Sequence, residues 1–246
     1  PKSADLSCSA APLDASTQSQ SAETGFLRGG ADVQVRDTAM AGPAPTAPHI
    51  PVSVLYIFSG RRRKSDIKYY LTLEGKSRGL DVVVTEFDTL NGEDASIWDN
   101  VRQDISSGLY DVLVVSPPCS TFSRAVFNRS RGPRPLRTAN HPWGYPWLDN
   151  VRRAKADDAN TRVRRSLESC TLAGEAGCCF ILEFPEDLGV KGGCRPASIW
   201  QLPETRDLAK LCEATRFAVS QSDFGTEYPK PTAFLASASS FSGTSV

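Results

Sequence analysis

The stretch Asp111 to Ala125, DVLVVSPPCSTFSRA, decides the fold, because a short aliphatic run stops there abruptly at two prolines and a cysteine. Val112 to Val115 are four successive aliphatic residues, three of them β-branched, and such a run predicts a strand buried on both faces of a parallel sheet. Pro117 and Pro118 remove two backbone donors and fix φ, so the chain leaves the sheet there in a defined direction. Cys119 then falls just beyond the carboxyl end of a parallel strand, where open α/β sheets bind their ligands. Ser120, Thr121 and Ser123 around it are polar, which favours a functional thiol over a small buried hydrophobe.

Outward from this loop the chain alternates strands and helices. Val52 to Gly60, VSVLYIFSG, reads as a first strand delivering Phe58, Ser59 and Gly60 to a ligand loop. Ser65-Asp66 predicts a helix cap, with Ile67, Tyr70, Leu71 and Leu73 as its apolar stripe and Gly79 as its stop. Asp81 to Thr85 predicts a second strand ending at Glu86, the position at which nucleotide-binding α/β folds hold ribose hydroxyls. Ile97, Trp98, Val101 and Ile105 then space a helix between Asn91 and Gly108, and Asp94 is either a ligand residue or that helix's cap.

Beyond the loop, Leu148 to Ala176 predicts a long helix presenting Val151, Ala154, Ala159, Val163, Leu167, Cys170 and Leu172. Cys178 to Phe184, CCFILEF, predicts another buried strand, and its Glu183 needs a partner because an ionised carboxylate at a sheet edge loses solvation. A short helix from Glu204 to Ala214, a strand from Phe217 to Gln221 and a closing strand from Ala233 to Ala236 complete the pattern. The expected class is α/β, a mostly parallel twisted sheet with helices on both faces.

Bulk composition narrows the function. With 246 residues, 40% hydrophobic and 23% charged, the chain can build one substantial core. No run approaches the ~20 apolar residues of a membrane span and no signal peptide is visible, so a soluble intracellular protein is expected. Seven cysteines with no CxxC pair, and two histidines in all, point away from zinc and from a disulfide framework, so no metal is expected. Residues 1–50 are rich in Ala, Ser, Thr, Gly and Pro without hydrophobic period and read as a disordered leader or linker; residues 51–237 carry the folded domain, and 238–246 a flexible tail.

Formal net charge is zero, with 28 basic and 28 acidic residues, yet Ser116 to Leu148 holds no acidic residue at all. Arg124, Arg129, Arg131, Arg134 and Arg137 lie there among Phe122, Phe127, Trp143, Tyr145 and Trp147. Arginines interleaved with aromatics suit phosphate contact and base stacking, although packed aromatics under a solvated loop would leave the same pattern.

Pro117-Pro118-Cys119-Ser120-Thr121-Phe122-Ser123 resembles the Pro-Cys-Gln-x-Phe-Ser loop of the C5-cytosine DNA methyltransferases. SPPCSTFSRA, followed by Gly132-Pro133-Arg134-Pro135-Leu136-Arg137 and His141-Pro142-Trp143-Gly144, is closer still to compact methylase-like domains of phages and retroelement polyproteins. The resemblance runs from about Val52 to Ala236. It implies a Rossmann-like fold that binds S-adenosylmethionine through Phe58, Ser59, Gly60, Glu86, Asp94 and Pro117. It further implies that Cys119, beside Pro118, attacks C6 of an extruded cytosine while Glu183 bonds N3 and the exocyclic amine. Ser123, Arg124, Arg134, Arg137, Lys230 and Thr232 become the contacts to nucleic acid, DNA in preference to RNA. A monomer, a place in a larger polyprotein and a nuclear location are the remaining expectations.

Several positions depart from the family pattern: Arg61-Arg62-Arg63-Lys64 replaces later glycines, Tyr56 replaces an acid, and Phe184 and Thr232 replace an asparagine and an arginine. A catalytically degenerate, nucleic-acid-binding remnant is therefore the alternative. A cysteine hydrolase lacks a choice of base beyond His49 and His141, and an amino-group methyltransferase would want Asp or Asn at Ser116 and an aromatic at Cys119.

Overall fold

The computed structural model describes residues 50–88, 95–127, 133–191, 193–227 and 229–237. Asp94, Arg129 and Arg131, residues 1–49 and the tail from 238 lie outside the described residues. Six strands form one sheet: β1 (Ile50–Ile57), β2 (Leu80–Phe87), β3 (Val112–Val115), β4 (Cys179–Pro185), β5 (Thr215–Ser220) and β6 (Pro231–Ala236). Their spatial order is β2-β1-β3-β4-β6-β5, parallel from β2 to β4, with β6 antiparallel to both β4 and β5. The class is α/β, mostly parallel and compatible with a Rossmann-like fold. From β1 the chain crosses first to β2 on one side and then to β3 on the other, so the order reverses there, and the crevice at such a reversal is where ligands bind.

Four helices cover the sheet unequally: α1 (Ile67–Ser77), α2 (Ala95–Ser106), α3 (Asn150–Glu175) and α4 (Pro203–Leu211). On one face Leu55, Ile57, Leu113, Val115, Phe180, Leu182 and Leu235 form the main core with side chains of α2, α3 and α4. On the other, Val54, Tyr56, Val84 and Val114 form a smaller cluster with Leu71 of α1. The central run is sheathed on both sides as its sequence predicts, Leu113, Val114 and Val115 being 0%, 7% and 0% exposed.

Helix α1 begins where expected, the Asp66 carboxylate accepting from the Tyr69 N–H at 3.0 Å, but its buried face is not the expected stripe. Ile67, Tyr70 and Leu73 are exposed. The reason is Gly75: a Cβ there would stand 2.3 Å from Val82 Cγ2, so the bare backbone lets the helix settle closely on β2. The face through Lys68, Leu71, Thr72 and Gly75 turns inward, which carries Lys68 toward the end of β2.

Two other stripes shift for similar reasons of placement. In α2, Trp98, Val101 and Ile105 are buried as expected while Ile97 is exposed. In α3, capped by Asp149 through Arg152 N–H at 2.8 Å, Val151 is exposed and Ala156, Ala159, Asn160, Val163, Leu167 and Cys170 are buried. Strand β4 is not buried on both sides: Phe180, Leu182 and Phe184 enter the core, whereas Cys179, Ile181 and Glu183 are half-buried on the opposite face.

Candidate active site

Strand β3 ends at Val115, and Ser116 N–H still donates to Ile57 O at 3.2 Å, so the loop leaves beside the end of β1. The Phe122 and Ser123 amides both donate to Cys119 O at 2.9 Å, closing a tight turn that holds the cysteine. Phe122 anchors that turn: it is 4% exposed and meets Phe184 edge-on with ring centroids 5.5 Å apart. Phe184, a departure in the family comparison, thus has a packing role here. Pro117 is buried and Pro118 half-buried alongside.

The Cys119 thiol is half-buried against the main core. Burial pushes its pKa up, the Lys230 ammonium pulls it down and the Glu183 carboxylate pushes it up. The three groups therefore share one electrostatic neighbourhood at the ends of β3 and β4 and the entry to β6. Lys230 Nζ is 3.6 Å from Glu183 Oε1, with the two side chains 44% and 22% exposed, so Glu183 has the partner its position demands. An ion pair this open contributes about 1 kcal/mol at most, and either member can turn to another ligand.

This arrangement makes the thiol's reactivity tunable by its neighbours. Alkylation of Cys119 by iodoacetamide, followed at the Cys119 peptide by mass spectrometry, is expected to rise with pH beyond the ordinary thiol range. Lys230→Met removes the group that lowers the pKa and should slow alkylation at neutral pH, whereas Glu183→Gln should speed it, each by about two- to tenfold, since one pKa unit is tenfold in thiolate. Equal rates in both variants would show that neither charge reaches the sulfur.

The expected cofactor loop follows β1. Phe58 takes a left-handed φ of 62°, unusual for a bulky residue, and is fixed by its N–H donating to Phe87 O at 2.7 Å and by burial to 6% exposure. Ser59 follows, half-buried. Gly60 has φ 71° and nothing within 4 Å of where a Cβ would sit, so a ligand can approach its backbone. Tyr56 lies opposite Glu86 in the β1–β2 register. Burial raises its phenol pKa, opposed by the Ser116 hydroxyl and supported by the Glu183 carboxylate. The Ser116 Oγ makes no hydrogen bond of good geometry among the described residues, although the tyrosine hydroxyl stands beside it.

Glu86, the expected ribose ligand, is held by cations. Arg62 Nη1 donates to Oε1 and Oε2 at 2.9 Å each, Lys68 Nζ stands 3.5 Å away, and the same Arg62 nitrogen is 3.1 Å from Asp66. Neither Arg62 nor Lys68 was legible as a Glu86 partner in the sequence; the signal was a basic run facing an acid at the end of the neighbouring strand.

The expected nucleic-acid contacts divide. Arg137 is corrected outright: it is 0% exposed, with Nη1 donating to Pro142 O at 2.9 Å and Asn160 Oδ1 at 2.8 Å, and Nη2 to Ala156 O at 3.2 Å. Its Cζ lies 3.9 Å from the Phe122 ring centroid, and burial lowers its pKa to about 10. All this makes it a strut beneath the Cys119 loop. Thr232 is likewise buried, its hydroxyl donating to Lys230 O at 3.1 Å and accepting from Gln221 at 3.3 Å, so it cannot reach a base. Arg124 spends its guanidinium on Leu188 O and Val190 O, each at 3.0 Å. Ser123 Oγ accepts from Ala125 N–H at 3.2 Å. Arg134 is exposed and Lys230 faces Glu183.

The aromatics divide too. Phe122 is buried and Trp143 packs against the core beneath the Arg164 guanidinium, while Trp147, 68% exposed, stacks on Tyr145 with centroids 4.8 Å apart. Asn160, without an assigned role in the sequence, ties Arg137 to Trp143 O through its amide at 2.8 Å. Among the described residues no group of His, Cys, Asp and Glu is arranged to hold a metal ion, and no helix is long and apolar enough to cross a membrane.

Compared with known proteins, the chain matches no protein family and no curated sequence.

Proposed function

We propose that this chain is an S-adenosylmethionine-dependent methyltransferase of Rossmann-like fold that acts on C5 of cytosine in DNA. The observation that carries the reading is the shared neighbourhood of the Cys119 thiol, the Glu183 carboxylate and the Lys230 ammonium at adjoining strand ends. The Cys119 thiolate adds to C6 while a proton shared between Glu183 and N3 takes up the shifted electrons, which makes C5 nucleophilic; once C5 is methylated it loses its proton to solvent, the thiolate leaves C6 and the N3 proton returns to Glu183. Lys230 serves both, because it lowers the thiol pKa and leaves Glu183 for the base at small cost. Extruding the base costs a few kcal/mol, which stacking and cationic contacts offset.

Two features at the ends of β1 and β2 support a cofactor there. Gly60 has open space above its backbone, and Glu86 stands at the end of the adjacent strand. When bound, S-adenosylmethionine supplies an electrophilic methyl group. A second reading, a nucleic-acid-binding remnant that has lost catalysis, draws on the grip of Arg62 on Glu86. Magnitude favours the first: the Arg62 side chain is 55% exposed, and releasing such a pair costs about 1 kcal/mol or less, a few-fold in affinity.

Calorimetric titration with S-adenosylmethionine tests the choice. Heat of binding is expected for the unaltered chain, with about two- to fivefold tighter binding for Arg62→Ala, and labelled methyl should enter cytosine-containing DNA. Absence of heat in both proteins would leave the remnant reading in possession.

A further inference from the structure

Behind the Cys119 turn lies a cavity of about 170 Å³ that the proposed transfer chemistry does not use. Its floor is the Cys119 loop itself, through Ser120 and Thr121. Arg134 comes from the Pro133-Arg134-Pro135 segment and Arg152 and Lys155 from the first turns of α3. Arg152 and Lys155 are three apart on a helix and so share a side, and the prolines flanking Arg134 restrict its backbone. Arg152 is paired with Asp149 at 2.7 Å; no acidic side chain among the described residues pairs with Arg134 or Lys155. Thr121 is 5% exposed, and its Oγ1 is buried with no hydrogen-bond partner. Ser120, exposed on the same lining, offers a hydroxyl donor to an anion in the cavity.

We infer that this cavity binds a backbone phosphate of single-stranded DNA. Two cations without an acidic partner, drawn from two separate elements, with Arg152 beside them and one hydroxyl donor, match an anion presenting several oxygens, and arginine meets phosphate with two parallel bonds. The cavity is well below the ~300–1,000 Å³ that holds a whole small ligand, so it suits a phosphate group whose sugar and base lie outside. Ser120 and Thr121 of its lining follow Cys119 directly in the chain. The inference rests on the proposal that a nucleic acid occupies the Cys119 crevice.

Anisotropy of a fluorescein-labelled single-stranded DNA oligonucleotide, titrated with the full chain at several salt concentrations, tests it. Arg134→Ala/Lys155→Ala should weaken binding about tenfold at low salt and flatten the salt dependence by about 1.4, since each phosphate contact on a single strand contributes ~0.7. Ser120→Ala should weaken binding about threefold with the salt slope unchanged. Inorganic phosphate should displace the oligonucleotide more than chloride at matched ionic strength, and that excess should vanish in the double variant. Unchanged affinity and slope in the double variant, or equal displacement by the two salts, overturns the assignment. If methyl incorporation fails while these shifts appear, the pocket stands and the transfer reading falls. If incorporation proceeds with the KM for DNA unmoved in the double variant, the pocket falls alone.

Discussion

Cys119→Ser is expected to abolish incorporation of labelled methyl into cytosine-containing DNA, a loss of at least ~10³-fold, while leaving the fold intact. The serine hydroxyl is nearly isosteric but ionises far above neutral pH, so the C–S bond that activates the ring has no efficient substitute. The thiol is half-buried, and the turn is closed by the Cys119 carbonyl. Thermal unfolding should therefore move by less than the few degrees that ~1 kcal/mol represents. Titration of S-adenosylmethionine should give the same heat in both proteins. Retained methyl incorporation in the serine variant would remove Cys119 from the chemistry and with it the whole C5 mechanism.

Arg137→Ala should cost about 3–5 kcal/mol of stability, a large fraction of the ~5–15 kcal/mol typical of a folded domain. The arginine is among the largest fully buried side chains. Its loss leaves a void beneath Phe122 and strands Asn160 Oδ1 and Pro142 O without the donors they now have. Arg137→Lys should recover little, because an ammonium cannot span the carbonyls and the amide that the fork reaches at once. Asn160→Ala added to Arg137→Ala should cost less than the two single losses combined, since both delete one network. Denaturant unfolding measures all three, and a drop below ~1 kcal/mol for the alanine variant would show that the network contributes nothing net.

The pH dependence of this strut has a definite sign. Its pKa is lowered to about 10 by burial, with the Asp157 carboxylate opposing, so the unfolded chain holds this proton more tightly than the folded one. Stability carried by this group therefore rises as pH climbs above about 10 and is flat below it. Burial of the charge is a standing penalty at neutral pH, offset by the carbonyls, the amide and the aromatic face.

What the sequence disclosed and concealed follows from the kind of signal each residue sends. Strands β1, β3 and β4 and the turn after Val115 were legible because unbroken aliphatic runs ending at Gly or Pro have few other readings. The buried arginine was not. An arginine in a stretch without acids reads as surface, and its counter-group is a π face and three oxygens, none of which announces itself as a charge. The usable hint was Asn160, a polar residue one position from Ala159 on the inner face of a helix, which had to be bonded to something. The true face of α1 was hidden because the closest approach is made by Gly75, which has no side chain to count. Thr232 and Glu183 show the limit of residue type: the β4–β6 register sets both on the same face of the sheet, yet one is wholly covered there and the other stays half open.

Strand β6 follows β5 in the chain but separates it from β4 in space, and among the described residues β5 has no other neighbour in the sheet. On the ribosome, then, β5 emerges with nothing to pair with, and β4 keeps a bare edge until the segment carrying Lys230 has been made. Both the sheet and the charge that lowers the Cys119 pKa are completed by one insertion, so nascent chains arrested before it should present an adhesive edge and a thiol without its activating cation to the quality-control machinery.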